Sequence, residues 1–241
     1  MSFVSACCNT PPVQAEYTPT GETTERDGVT YYIVGNKGSE RGVILCYDIF
    51  GFHLNAFQFA DLLSRSGVRV VVPDFLEGKP LTVADLGNPA VFENFKERRG
   101  PWSYNRKIFK AGQRVLEEEG VKHVGAVGFC WGGKLAMSAL GEENSGIIGG
   151  ALVHPSALTK EDFENARGPV FLAPTKDERD FTEDFAIAKA KPFGDKSVQV
   201  RFDNQKHGFC GARGDFDKPE TADDVNRVIQ LTTQFFKSIL A

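Results

Sequence analysis

A cysteine, a histidine and a carboxylate, far apart along the chain, are the residue types here that could together perform nucleophilic chemistry. The cysteine is Cys130, within Gly128-Phe129-Cys130-Trp131-Gly132-Gly133, between the apolar run 124–129 and a helix-like run from Lys134. Glycines two before and two after a central residue, at a strand-to-helix junction, permit a turn that thrusts the central side chain out of the sheet plane. A thiol attacks a carbonyl carbon as thiolate, so Cys130 needs a base or a lowered pKa. The chain has four histidines from which that base can come. His123 precedes the central strand and so falls at the wrong edge of a sheet, while His53 follows the first strand loop. His154 reads as a structural turn because Pro155 follows it. His207, in Lys206-His207-Gly208-Phe209 after the last strand, is expected at the C-terminal strand edge, where open α/β sheets bind ligands. Asp177, after the strand 169–173, is the expected partner that holds the imidazole tautomer, with Asp180 in the same loop as the alternative. The oxyanion of an attacked carbonyl would take the N–H of Trp131, at a helix start, and that of Ile49 in Asp48-Ile-Phe-Gly51.

The elements that must position these residues are legible as period and length. Residues 42–47, 68–72, 124–129, 147–153 and 169–173 are short apolar runs, the pattern of strands buried on both faces. Residues 28–34 suggest an edge strand in an antiparallel pair, and 197–202 a further strand of alternating character. Helices are expected over 53–66, 104–119, 134–140, 182–190 and 221–240, with a short one near 90–97. Strands alternating with helices throughout predict one doubly wound α/β sheet, residues 28–241, preceded by an irregular segment, 1–27, packed on it. Residues 75–101 carry Gly78, Pro80, Gly87, Pro89 and Gly100, and read as an irregular excursion over the functional edge of the sheet. No internal repeat, low-complexity tract or linker is present.

Composition removes several classes of function. With 41% hydrophobic and 25% charged residues and a net charge of -4, nothing points to nucleic acid or an anionic membrane as partner. No apolar stretch approaches the roughly 20 residues that span a bilayer, and residues 1–17 have no basic start or signal-length apolar run. Five cysteines, Cys7, Cys8, Cys46, Cys130 and Cys210, form an odd, sparse set without zinc spacing. A reducing, cytoplasmic setting is therefore expected, where a cysteine in a special context reads as chemistry rather than staple.

The pieces Asp48-Ile-Phe-Gly51, Val72-Pro-Asp-Phe75, Gly128-Phe-Cys-Trp-Gly-Gly133, Asp177 and His207-Gly-Phe209 together resemble the dienelactone hydrolase family, from about Arg41 to the C-terminus. The order nucleophile, acid, histidine is also that of α/β-hydrolases. The resemblance implies an eight-stranded, single-domain α/β-hydrolase using Cys130, His207 and Asp177 on a small ester, lactone or thioester, without cofactor or metal, as monomer or homodimer. In bacterial members a glutamate beside the oxyanion loop helps ionise the cysteine; here Asp48, one methylene shorter, occupies that place. The substrate-carboxylate arginines of those enzymes have no match, Lys79 and Arg213 being the nearest cations. Phe50, Phe52, Trp102 and Phe209 would suit an apolar acyl or aromatic group instead. Two other classes fit the same residues. One is a hydrolase-fold protein that binds a ligand or partner without turnover. The other is a redox-sensing thiol protein in which Cys210, three residues after His207, pairs with Cys130.

Overall fold

The computed structural model describes residues 11–240, so the expectation made for Cys7 and Cys8 lies outside the described residues. The apolar runs form the middle of a sheet: β3 (Arg41–Cys46), β4 (Arg69–Pro73), β5 (His123–Phe129), β6 (Ile147–Val153) and β7 (Val170–Ala173). β4 and β7 are buried at every residue, as parallel strands covered on both faces must be. A hairpin of β1 (Glu22–Arg26) and β2 (Val29–Val34), with the two-residue β8 (Val198–Gln199), completes the order β1-β2-β4-β3-β5-β6-β7-β8. The pairs β1–β2 and β2–β4 are antiparallel and all others parallel. Asp27 and Gly28 join the hairpin, both at positive φ (51° and 74°), the twist a two-residue turn needs to match its strands.

Two boundaries differ from the sequence expectation. The sheet begins at Glu22, inside the segment read as irregular, so β2 is an inner strand and β1 the edge. β1 is Glu-Thr-Thr-Glu-Arg with no buried residue, so no apolar alternation announces it. The run 197–202 is a strand only at Val198–Gln199, followed by an isolated bridge from Phe202 to Thr175.

Among the described residues, seven α-helices link these strands: α1 (Leu54–Ser64), α2 (Pro89–Asn94), α3 (Trp102–Glu118), α4 (Trp131–Gly141), α5 (Lys160–Asn165), α6 (Thr182–Lys189) and α7 (Pro219–Ile239). One π-type turn, Phe95–Arg99, follows α2. α3 packs beside α4, and α1 beside α7, each pair against the sheet. On the α1 side Phe59 meets Phe129 of β5 edge-to-face at 4.8 Å, fixing the strand that ends at Cys130. Residues 11–20 have no regular structure and lie against the domain: Val13 N–H donates to the Ala212 carbonyl (2.8 Å), and the ring of His53 to the Val13 carbonyl (2.9 Å).

Candidate active site

Strands β3, β5, β6 and β7 end at one edge of the sheet; Ile49, Cys130, His154 and Asp177 follow strand ends there, and His207 follows the bridge at Phe202. Between β5 and α4 the backbone of Cys130 stands at φ 53°, ψ -120°, a conformation that costs a non-glycine residue of order 1–3 kcal/mol. The flanking glycines make it possible. A Cβ on Gly128 would come within 2.2 Å of the Gly132 carbonyl oxygen, and one on Gly132 within 2.1 Å of that of Cys46. The turn is pinned by Cys130 itself, whose N–H donates to Val153 (3.2 Å) and whose carbonyl accepts from Gly133 (3.1 Å) and Ser156 (2.8 Å).

His207 is brought to this turn and is 2% exposed. Its Nδ1 donates to Oε1 of Glu178 at 2.6 Å, with both side chains fully buried. Nε2 is buried and bonds to no oxygen or nitrogen, and Cys130 is the first of the groups that favour the charged ring. Burial works against a charged imidazole, but the charge and hydrogen bond of Cys130, then those of Glu178, outweigh it and raise His207 to about 10. Burial pushes the thiols of Cys46 and Cys210 up, which keeps them protonated and inert. Cys46, Cys130 and Cys210 are buried free thiols.

The acid on the ring is Glu178, where Asp177 was expected and Asp180 was the alternative. Asp177 is exposed, and its Oδ2 accepts from the backbone N–H of His207 (2.8 Å), not from the ring. Asp180, also exposed, takes the N–H (2.8 Å) and hydroxyl (2.6 Å) of Thr182 at the start of α6. Neighbouring positions of the loop face opposite ways, so only Glu178 turns inward, its Oε2 held by the Thr175 N–H. The Thr175–Phe202 bridge sets that phase, and nothing in the local composition announces it.

The two expected oxyanion donors lie on either side of the cysteine turn. Trp131 is the first residue of α4, where the N–H has no partner within the helix and the dipole is positive. Ile49 lies in a turn closed by Gly51 N–H to Asp48 carbonyl (3.1 Å) and Phe50 N–H to Asp48 Oδ1 (2.9 Å), bonds that do not use the Ile49 N–H. The second oxygen of Asp48 accepts from Ala212 N–H (2.9 Å), so one carboxylate ties this turn to the loop carrying His207. Arg213 adds a second tie, its guanidinium stacked 4.5 Å from the centre of the Phe50 ring.

The proposed substrate contacts separate into two groups. Phe209 packs into the core against Phe202 and His154, and Trp102 against Phe109, so both are structural. Phe52 is likewise held between Tyr47 and Phe57. Lys79 instead lines a cavity of about 460 Å³ with Leu81, Val91, Phe95 and Arg99. Its walls are joined to both oxyanion residues: Leu81 N–H donates to the Ile49 carbonyl (2.9 Å), and Phe95 meets the Trp131 ring edge-to-face at 5.1 Å. Among the described residues no three His, Cys, Asp or Glu side chains gather as a metal site, and no helix is long and apolar enough to cross a membrane.

An eight-stranded, mostly parallel sheet with a sharp cysteine turn after its central strand, and a histidine returned to it from beyond the last strand, is an α/β-hydrolase fold. The family profile for dienelactone hydrolases matches residues 29–240, and the chain belongs to that family. It is similar to an uncharacterised AIM2 family protein of Schizosaccharomyces pombe, 32% identical over 98% of this chain and 100% of the relative. A human carboxymethylenebutenolidase homolog is 27% identical over 80% of this chain and 81% of its own. Among solved structures, the dienelactone hydrolase-like promiscuous phosphotriesterase P91 from metagenomic libraries aligns with a TM-score of 0.68 at 17% identity, covering 91% of this chain and 98% of that one.

Proposed function

We propose that this protein hydrolyses a small ester, lactone or thioester through an acyl-enzyme on Cys130. The observation that carries the reading is the buried His207 ring, with Glu178 on Nδ1 and Cys130 as the leading group that favours its charged form. His207 takes the thiol proton, and the thiolate adds to the carbonyl carbon. The negative oxygen is received by the N–H groups of Trp131 and Ile49. As the tetrahedral species collapses, His207 returns the proton to the departing alkoxide or thiolate. It then removes a proton from water, whose attack on the acyl carbon expels the Cys130 sulfur, frees the acid and restores the Cys130–His207 pair. Glu178 keeps Nδ1 protonated throughout and stabilises the imidazolium, while Asp177 secures the backbone of the same residue.

The cavity beside Ile49 and Trp131 is the natural place for the larger part of the substrate. Its Leu81, Val91 and Phe95 suit an apolar group, and Lys79 and Arg99 can meet a polar end. Purified protein and its Cys130→Ala variant, assayed on aryl esters, lactones and acyl thioesters, test the reading. The wild type should show turnover with an initial burst of released alcohol or thiol, and Cys130→Ala none. Full turnover by Cys130→Ala would refute it. Stoichiometric labelling of Cys130 without any turnover would mark a binding protein instead.

A further inference from the structure

His154 has no part in the chemistry above, yet its ring lies against that of His207. It follows β6, is wholly buried, and stands at φ 38°, a conformation that non-glycine residues keep only where the surroundings impose it. The imposing bonds run from its own N–H to the Ala173 carbonyl (2.8 Å) and from Ser156 N–H to the Cys130 carbonyl (2.8 Å). The ring meets Phe129 at 5.5 Å, Phe209 at 5.8 Å and His207 at 5.3 Å, the last edge-to-face at 72°. Neither of its nitrogens has a hydrogen-bond partner. A buried polar atom left so costs about 1–3 kcal/mol, and a phenylalanine would pack there without that cost. An imidazole kept on these terms asks for a function.

We propose that His154 is a positioning residue for His207: a ring that no other residue bonds, whose dipole turns toward the charge on the neighbouring imidazole and so favours the ionised Cys130–His207 pair. Having no partner on another residue is what lets it act. An imidazole bonded through one nitrogen is fixed in one tautomer. His154 can hold its proton on whichever nitrogen leaves the lone pair toward the positive ring. With both rings buried, this charge–dipole attraction is magnified by the low dielectric. Burial first, then the charge of His207 and, less, that of Arg213 hold His154 well below the ordinary histidine range against a bond to its own backbone, so it stays neutral while its neighbour is charged. Those two groups bear on it directly. Cys130 and Glu178 act through His207, and the remaining ring contacts are the apolar Phe129 and Phe209. A proton taken from Cys130 therefore rests on His207 and goes no further.

The inference rests on the Cys130–His207 pairing proposed above, and one experiment separates the two. The ionisation of Cys130 is read from the pH dependence of its alkylation by iodoacetamide in the full chain, for wild type, His154→Phe and His154→Gln. The phenylalanine keeps an aromatic contact without the dipole; the glutamine restores a neutral dipole without the ring. In His154→Phe, Cys130 should ionise about one pH unit higher, so that alkylation below that range slows about tenfold, with the melting temperature unchanged or raised. His154→Gln should recover part of the loss. A folded His154→Phe that titrates like wild type overturns the role of His154. A wild-type Cys130 that ionises like an ordinary thiol overturns the pairing itself. Should His154→Phe fail to fold, the ring-nitrogen chemical shifts of His154 in the wild type decide: neutral from about pH 5 to about pH 9 supports the proposal, and protonated within that range ends it.

Discussion

Two adjacent acids hold one histidine by different handles, Glu178 by the ring and Asp177 by the backbone N–H. The difference is one of burial. The Glu178 carboxylate is fully buried, so its hydrogen bond is not diluted by water, whereas that of Asp177 is exposed. Removing the charge at each position should therefore have unequal effects. Glu178→Gln leaves the imidazole free to take the wrong tautomer, and kcat should fall by about 10³–10⁴-fold. Asp177→Asn keeps an acceptor for the backbone N–H, and its loss should stay within about tenfold. Steady-state kinetics of the two purified variants on one aryl ester check this; equal losses would return Asp177 to the position expected from the sequence.

Single elements carry the geometry, and two of them make testable claims. At the cysteine turn, a methyl group on Gly132 would sit 2.1 Å from a main-chain oxygen that β3 holds in place, whereas one on Gly133 would meet nothing nearer than the Cβ of Pro155 at 3.0 Å. Gly132→Ala should thus give insoluble or inactive protein, and Gly133→Ala a soluble one with a lowered melting temperature; soluble yield and a thermal melt distinguish them. In the oxyanion turn, Asp48 accepts from Phe50 and Ala212, so Asp48→Ala should loosen the Ile49 N–H and lower kcat about 10–100-fold with KM nearly unchanged. The middle of the sheet was legible because strands buried on both faces must be apolar throughout, as Gly-Val-Ile-Leu-Cys in β3 and Ile-Ile-Gly-Gly-Ala-Leu-Val in β6 are. Cys130 and His207 were legible because their loops follow such strands. β1 escaped because all five of its residues are polar, and α5 because Lys-Glu-Asp-Phe-Glu-Asn gives one apolar residue in six. Glu178 escaped for another reason. Which of several acids in a loop turns inward shows in its bond to His207, 29 positions along the chain, which no local pattern records.

At the scale of the whole molecule the ionised site becomes a term in folding stability. The proton on His207 is held to about 10 in the fold, against about 6.5 in an unfolded chain. Below about 6.5 both states carry that proton, and the group's contribution to stability is complete. Between the two values the unfolded chain releases it while the fold retains it, so the contribution shrinks as pH rises, by up to about 1.4 kcal/mol per pH unit, and is gone above about 10. Leading the causes that raise His207 is the Cys130 sulfur, with Glu178 after it, so Cys130→Ala removes most of what opposes burial and should bring the imidazole down. The wild type should then exceed Cys130→Ala in melting temperature most at or below about pH 6.5, and the gap should close by about pH 10.5 as the imidazolium is lost. Melts of the two proteins across that range measure the gap directly. A gap independent of pH would mean that Cys130 stabilises the fold by filling space, and that the charge placed beside it on His207 does not contribute.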